Sequence, residues 1–422
     1  MEFIENVSET EYRKFTEGRK DTHFLESFEW GEVSKTRNFI PCYTGVKKNG
    51  KLVASALLLK KNLPLGYSYY YIPRGYTIDY RDRELVKFLT DEIKKYCKKN
   101  KALFFRIDPD IKLHTIDEDA NPIDGENNYE LVDYLKELGF KRRKLTKFFE
   151  TMQPRFTFRI PLTNSIEEIE SRYTKTTLQR IKKAEQSGII VEKGTASDIN
   201  EFTRLMKMTE KRQDFYSHSD EFFEHFYDIF SKKDYVTLYL GKIDIKDTSD
   251  KLNSKKKELE ERLESIKDDN GKKANNLRKE IQKELDSAVS QLDFFKDKPQ
   301  EKIVVSSYLI VKYGNKSWAL YAANDMDYKN LFANYLVYKN QIRDAFNSGK
   351  EIFDVFGTIG DPKSTSSLVG LHDFKKKWGG EYTEFIGEFD YVLNKFMYFV
   401  FTKLIPLRHK IVKKLLKRQN NK

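Results

Sequence analysis

Hydrophobic and polar positions divide the chain into two similar series of predicted elements. In the first series, the strand patterns KLVASALLLKK and YSYYYIPRG precede a helical stretch at 84–99 and the strand LFFRIDPD. In the second series, KIVVSSYLIVK and SWALYAAN precede a helical stretch at 331–348 and the strand IFDVFG. The separation between matching positions stays at 248 to 251 residues for three pairs: Val53 and Val304, Tyr71 and Tyr321, Phe105 and Phe353. This constant register predicts two copies of one α/β module, each a mixed sheet flanked by helices.

A charge-dense segment without proline, residues 249–295, interrupts the second series. Apolar positions recur at heptad-like spacing on both sides of the turn sequence DDNG: Leu252, Leu259, Leu263 and Ile266 before it, and Leu277, Ile281, Leu285, Ala288 and Leu292 after it. Such a pattern is typical of two helices that fold back on each other as an antiparallel coiled coil. The strand patterns YVTLYLGKI and KIVVSSYLIV flank the segment, so it is predicted to project from a sheet as an arm.

The net charge of +12 is concentrated at one end of the 422-residue chain. Eight lysines and arginines and no acidic residue occur from Phe396 to Lys422, which predicts a tail that binds a polyanion or an anionic membrane. The N-terminus lacks the pattern of a secretory signal, and the longest apolar stretch, FMYFVFTKLIPL, is too short to span a bilayer. Cys42 and Cys97 form no spaced motif and are predicted to be reduced, buried thiols. These features predict a cytoplasmic protein.

Several common catalytic motifs are missing from the sequence. The six histidines and two cysteines show no zinc-ligand spacing, and no GxSxG is present. The segment GTIGDPKST, residues 357–365, resembles a phosphate loop, but Pro362 replaces the glycine that must precede Lys-Ser. The glycine-rich turn that cradles the coenzyme A pyrophosphate in acetyltransferases is also absent. We therefore expect no metal or organic cofactor.

Four local signatures, together with the duplicated modules and the arm, resemble the Fem family of non-ribosomal peptidyltransferases. They are FEWGEVSK (28–35), YYYIPRGYTIDY (69–80), FRIDPDI (105–111) and FKKKWGGEYTEFIGEFDYVLN (374–394). The resemblance implies two domains like those of the GNAT acyltransferase superfamily. The domains are expected at 1–151 and 152–385, with the coiled-coil arm at 246–300 inserted in the second, and 386–422 returning to the first domain before the basic tail.

The resemblance also implies a reaction and its partners. An amino acid moves from aminoacyl-tRNA, the expected co-substrate, to the side-chain amine of residue three of a peptidoglycan stem peptide. The acceptor is lipid II or UDP-MurNAc-pentapeptide, and the product is the first residue of an interpeptide bridge. Further expected partners are an anionic membrane at the inner face of the plasma membrane, contacted by the basic tail, and related Fem proteins.

Residues are carried over from the family where the motifs align. Lys35, the pair Arg212 and Tyr216 in KRQDFYSH, and Tyr321 match acceptor-binding positions. Asp108 matches a carboxylate proposed as a base. Phe374 and Lys375 match a pair implicated at the tRNA 3′ end and in catalysis. We hypothesise that Lys375 holds either the negative charge that develops on the ester carbonyl and then on the leaving 3′-oxygen, or the terminal tRNA phosphate. We further hypothesise that Phe374 stacks on the terminal adenosine and that Gly379-Gly380 allows close backbone approach.

A structural interpretation remains open for each residue. Asp108 precedes a proline and can simply begin a turn, Lys35 can be a surface lysine, and Tyr321 can be a packed strand residue. Alternatives for the function are another GNAT-fold enzyme, either an aminoacyl-tRNA–protein transferase or an acetyl-CoA-dependent acetyltransferase, and a non-catalytic tRNA-binding protein. For the arm, a grip on tRNA and a strut for docking a partner are both open.

Overall fold

The computed structural model describes residues 1–213, 217–269 and 271–404. Within them the strands are β1 (Glu2–Ile4), β2 (Ile40–Lys48), β3 (Lys51–Asn62), β4 (Ser68–Ile72), β5 (Ala102–Ile107), β6 (Lys112–Ile116), β7 (Pro122–Asn127), β8 (Phe140–Arg142), β9 (Phe156–Pro161), β10 (Ile190–Gly194), β11 (Val236–Asp244), β12 (Lys302–Tyr313), β13 (Lys316–Asn324), β14 (Ile352–Asp354), β15 (Glu381–Phe385) and β16 (Phe389–Val392).

The α-helices of the same residues surround these strands. They are α1 (Glu9–Glu17), α2 (Phe28–Ser34), α3 (Arg83–Lys99), α4 (Tyr129–Glu137), α5 (Ile166–Ser171), α6 (Lys175–Gln186), α7 (Ile199–Gln213), α8 (Asp220–Ser231), α9 (Ile245–Ser265), α10 (Lys272–Phe295), α11 (Ala333–Asn347), α12 (Val369–Lys376) and α13 (Lys395–Phe399).

The strands form two mixed sheets. Sheet 1 has the order β1-β2-β3-β4-β5-β16-β8, and sheet 2 has the order β10-β11-β12-β13-β14-β9-β15-β6-β7. In sheet 1, β2, β3 and β4 pair antiparallel in succession, and α3 then leads to β5, which is parallel to β4. In sheet 2, β11, β12 and β13 pair in the same way, and α11 leads to β14, which is parallel to β13. The predicted fold, mixed α/β sheets built from two copies of one module, is confirmed.

The predicted arm is also present. Helices α9 and α10 run antiparallel between β11 and β12, and the ion pair between Lys255 and Glu284 (3.0 Å) joins them. Leu252, Leu259 and Ile281 are buried, as the heptad pattern predicts. The 24 residues of α10 extend about 36 Å at 1.5 Å per residue.

Sheet membership crosses the predicted domain boundaries. Strand β16 pairs with β5 and β8 in sheet 1, which is the direction expected for 386–422. Strands β6 and β7, however, lie in the range predicted as the first domain and extend sheet 2 through β15. A hydrophobic core between the sheets contains residues from both, including Tyr71 and Trp318. The domain limits themselves stay a prediction.

Two local predictions from the sequence pattern are wrong, namely a single helix over 167–188 and a strand-forming run around the three lysines that follow Phe374. Residues 167–188 form two helices rather than one, because Thr174 adopts an extended conformation and its hydroxyl caps α6 by accepting the Thr177 N–H (3.3 Å). The lysines after Phe374 do not interrupt a strand, since Lys375 and Lys376 form the last turn of α12. Basic side chains favour that position because the carbonyl end of a helix carries partial negative charge.

Candidate active site

Asp108 lies immediately after β5, and its carboxyl group is buried. The Tyr71 hydroxyl donates to Oδ2 (2.9 Å), and the Arg74 backbone N–H donates to Oδ1 (2.7 Å). Burial raises the pKa of Asp108 to about 7, against the opposing effect of the Arg74 charge. Near neutral pH the carboxyl group is therefore able to accept or to release a proton.

Arg74 owes its orientation to a tight turn after β4. Its φ is +57° and that of Gly75 is +86°, so the chain reverses and directs the Arg74 N–H toward Asp108. The Arg74 guanidinium lies 4.8 Å from the centre of the Phe385 ring, and its Nη2 is 3.4 Å from the Pro154 carbonyl oxygen. A strained non-glycine residue thus stands beside the candidate base.

A buried ion-pair network connects this strand end with sheet 2. Asp110 accepts from Arg159 Nη2 (2.6 Å) and Lys316 Nζ (2.7 Å), which hold the pKa of Asp110 far below its usual range. Arg159 Nε also donates to Asp354 Oδ2 (3.0 Å) at the end of β14. The network therefore fixes the ends of β5 and β14 relative to each other.

Lys375 forms hydrogen bonds with the loop that follows β14. The Asp354 carboxylate accepts the Phe356 N–H (2.8 Å), and Phe356 has a φ of +55°. The ammonium group of Lys375, which is partly buried, donates to the carbonyl oxygens of Phe356 (2.5 Å) and Gly357 (2.6 Å). Burial lowers the pKa of Lys375 to about 7, although the Asp354 charge acts in the opposite direction.

The two halves of the site approach each other across Pro154. Its carbonyl oxygen faces the Arg74 guanidinium, and its ring packs so closely on Gly357 that a β-carbon there would collide with it. Asp108 and Lys375 are thus connected through a chain of contacts that runs over Arg74, Pro154 and Gly357. A substrate that contacted both groups would meet a buried carboxyl on one side and a cation on the other.

Phe374 lies in an aromatic cluster. Its half-buried ring makes edge contacts with Tyr335 (5.1 Å between centroids), Tyr338 (5.3 Å) and Trp378 (5.9 Å). The glycine at 379 has a φ of +71° and abuts the backbone of Arg172. The close approach that we predicted for Gly379-Gly380 is thus made by the chain itself.

Of the acceptor-binding candidates, Tyr321 packs against the same hydrophobic core as Tyr71 and Phe356. Lys35 Nζ pairs with Glu32 (2.6 Å), and the lysine side chain is 53% exposed. Tyr321 is partly buried against Phe223 and His218, and the charge of Arg37 acts on both Tyr321 and His218. The turn that carries Lys35 and Arg37 therefore lies near Tyr321. Tyr216 and the side chain of Arg212 lie outside the described residues.

Comparison with known proteins shows the family of the chain. The FemAB family model matches residues 7–405. The chain belongs to the FemAB family. Over 414 residues it is 28% identical to the lipid II:glycine glycyltransferase of Staphylococcus aureus (strain bovine RF122 / ET3-1). Over the same length it is 29% identical to that of Staphylococcus epidermidis (strain ATCC 12228 / FDA PCI 1200). Each alignment covers 95% of this chain and 95% of the relative.

A solved structure of the family agrees with this assignment. The crystal structure of FemX superposes with a TM-score of 0.77 at 27% identity and covers 94% of this chain and 99% of that chain. Among the described residues, no helix is long and apolar enough to cross a membrane, and no group of three or more His, Cys, Asp or Glu side chains is arranged to hold a metal ion. The chain is thus similar over 95% of its length to lipid II:glycine glycyltransferases.

Several side chains that build the site were missed by the sequence analysis. They are Tyr71, Arg74, Asp110, Arg159, Lys316 and Asp354. Three of them stand inside quoted signatures, YYYIPRGYTIDY and FRIDPDI, and a charged residue between proline and glycine could have indicated Arg74. Arg159 and Asp354 carry no such signal.

Proposed function

We propose that this protein transfers an amino acid from aminoacyl-tRNA to the side-chain amine of residue three of the peptidoglycan stem peptide. The acceptor is lipid II or UDP-MurNAc-pentapeptide, and the product carries the first residue of the bridge. Glycine is the first amino acid to test, because both relatives are named for it. The observation that carries the proposal is the pair of Asp108 and Lys375, a buried carboxyl group and a partly buried ammonium group whose pKa values both lie near 7.

The acceptor amine must lose a proton before it can attack. With a reference pKa near 10.4, reaching the neutral amine at pH 7 costs about 4.6 kcal/mol. Asp108 in its ionised form can accept this proton, and the two groups that donate to its carboxylate, Tyr71 and the Arg74 N–H, stabilise that form. When the new amide bond forms, the ester C–O bond breaks and the tRNA 3′-oxygen takes up a proton.

Lys375 supplies the positive charge. An ammonium group has three N–H donors, and two of them are taken by the carbonyl oxygens of Phe356 and Gly357. The third can reach the ester oxygen, where negative charge grows as the amine attacks. The carbonyl contacts hold the ammonium group in place before the substrate arrives.

The remaining site residues are proposed as binding groups. Phe374 contacts the 3′ end of the tRNA through the part of its ring that the aromatic cluster leaves exposed. Lys35, Arg212, Tyr216 and Tyr321 bind the acceptor, with Lys35 at its diphosphate. Lys35→Ala should raise the acceptor KM about tenfold with kcat unchanged, whereas Lys48→Ala on an exposed hairpin should leave both values unchanged. An unchanged acceptor KM in Lys35→Ala would remove it from the site.

The basic tail is proposed to bring the enzyme to its lipid-linked acceptor at the inner face of the membrane. Most of the tail, residues 405–422, lies outside the described residues. Co-sedimentation with anionic vesicles should be lost after truncation at Asn394. Persistent binding by the truncated protein would show that the tail is not the anchor.

The experiment that tests the function uses the full chain, a panel of charged tRNAs and both acceptors, with products measured by mass spectrometry. We expect one aminoacyl residue to be added to the side-chain amine of residue three. If no tRNA supports transfer but acetyl-CoA yields an acetylated amine, the proposal is wrong and the acetyltransferase alternative stands. Binding of tRNA without any product would favour the non-catalytic alternative.

A further inference from the structure

A large cavity lies beyond the ends of β4 and β5, next to Asp108. Its volume is about 860 Å³, and it is bordered by the turn after β4, by α3, by the end of β7 and by Lys316 of sheet 2. Arg74, whose backbone N–H binds Asp108, is one of the residues that line this cavity. The candidate base and the cavity therefore share one residue.

The charges that line the cavity leave an excess of positive charge. Three carboxylates are neutralised by neighbours: Asp21 by Arg19 (2.6 Å), Asp79 by Arg81 (3.0 Å) and Asp110 by Lys316 (2.7 Å). Burial raises the pKa of Glu26 well above its usual value, so this side chain favours the neutral form. Among the described residues, Arg74 and Arg83 have no carboxylate partner, and Glu130 at the exposed rim is the one remaining acid.

The Arg74 guanidinium is also short of hydrogen-bond partners. The residue is 5% exposed, its Nε has no partner within the described part of the chain, and Nη2 makes one long contact to Pro154. A buried guanidinium without partners is costly, and its planar donors match a carboxylate in a bidentate arrangement.

We propose that this cavity binds the C-terminal carboxylate of the acceptor stem peptide, with Arg74 as its partner. The inference rests on the proposed function. In a pentapeptide whose third residue bears the reacting amine on its side chain, that side chain and the two following residues together span at most about 15 Å from the amine to the C-terminal carboxylate. An amine placed at Asp108 can therefore be joined to a carboxylate at the Arg74 side chain when the peptide is bent or partly extended. Arg74 then selects acceptors that still carry their last two residues.

The test compares three acceptors: UDP-MurNAc-pentapeptide, the same molecule with a C-terminal carboxamide, and UDP-MurNAc-tripeptide. With the wild-type protein, kcat/KM should fall at least about tenfold for the carboxamide, which lacks the charge, and should also fall for the tripeptide. The Arg74→Met variant should have the same kcat/KM for the pentapeptide and for the carboxamide. The Arg74→Lys variant should keep part of the preference for the pentapeptide. Arg81→Met is the matched control, because Arg81 is 92% exposed at the cavity rim and should keep the full preference.

The outcomes separate this inference from the proposed function. Equal kcat/KM for pentapeptide and carboxamide with the wild-type protein would overturn the carboxylate site and leave the transferase intact. A preference retained by Arg74→Met would also overturn it. Failure of every acceptor with every charged tRNA would instead refute the proposed function. If Arg74→Met does not fold, the wild-type comparison of the two pentapeptides still decides.

Discussion

The two copies of the module share their strand order and differ at three corresponding places. After β5, the last strand of the first copy, the chain presents the Asp108 carboxyl group. After β14, the last strand of the second copy, the corresponding residue is Phe356, 248 positions later, and its carbonyl oxygen accepts a hydrogen bond from Lys375. In the third strand, Tyr71 donates to Asp108, whereas Tyr321 packs on aromatic rings. At the preceding hairpin, the first copy turns through Asn49-Gly50, and the second carries the arm.

The comparison shows how one scaffold can supply opposite charges. Both strand ends are buried, and burial disfavours whichever form of a group is charged. It therefore raises the pKa of Asp108 and lowers that of Lys375, and both arrive at about 7. Burial therefore brings the pKa of an acidic side chain and that of a basic side chain close to neutral pH from opposite directions.

Removing the cation of the second copy should have the largest effect. In Lys375→Met the single-turnover rate should fall about 100- to 1000-fold, because no positive charge then stabilises the negative charge that develops on the ester oxygen. Lys376→Met is the control, since its ammonium group pairs with Glu118 at the surface and should not affect the rate. Equal rates for the two variants, with thermal unfolding unchanged, would contradict the role of Lys375.

Removing the carboxylate of the first copy should have the next largest effect. Asp108→Asn preserves size, and its amide can accept the Arg74 N–H at Oδ1 and donate from Nδ2 to the Tyr71 hydroxyl oxygen, but it cannot take the proton. We expect kcat to fall about 100-fold with little change in the tRNA KM. A kcat close to that of the wild type would assign Asp108 to the structure of the turn.

Substitutions of the two corresponding tyrosines, Tyr71 and Tyr321, should change different kinetic parameters. Tyr71→Phe removes a donor that stabilises the charged form of Asp108, so the pKa of Asp108 rises and kcat/KM at pH 6 falls several-fold. Tyr321→Phe should instead raise the acceptor KM without a pH-dependent change. If the two variants share one pH dependence, the division of roles between the copies is wrong.

Shortening the arm should have the smallest effect. Residues 245–295 contain twelve basic and twelve acidic side chains, so the arm carries no net charge to attract phosphates. Replacing 256–283 by a short glycine-containing turn keeps the buried base at Leu252 and Ala288. The tRNA KM should change less than threefold, which favours the docking strut, whereas a tenfold rise would support the grip on tRNA.

The repeated elements were predictable because each depends on a local pattern. Strand alternation, the heptads of the arm and the position of Asp108 at a strand end are all visible in short windows of sequence. The break at Thr174 was not, because a helical periodicity continues on both sides of it, and the Thr174 N–H donates to the carbonyl oxygen of the distant Lys377 (3.1 Å). Boundaries between elements therefore follow contacts that no window contains.

The surroundings of the site were less predictable. Arg159 reaches Asp110 and Asp354 across 49 and 195 residues, so their pairing depends on the completed sheets. Lys375 is held by two backbone carbonyl groups, and every residue has a carbonyl. The resemblance supplied candidate residues for the site, but its local geometry and the pKa values required the structure.

The most direct test of the account is the pH dependence of kcat/KM from pH 5.5 to 8.5 for the wild type, Asp108→Asn and Lys375→Arg. Dividing the wild-type value by that of a variant cancels the titration of the acceptor amine itself. Asp108 must be ionised, so the ratio to Asp108→Asn should rise through pH 7. Lys375 must be protonated and arginine stays protonated, so the ratio to Lys375→Arg should fall above pH 7. Two ratios that stay flat across this range would contradict the claim that these groups act at opposite sides of one reaction.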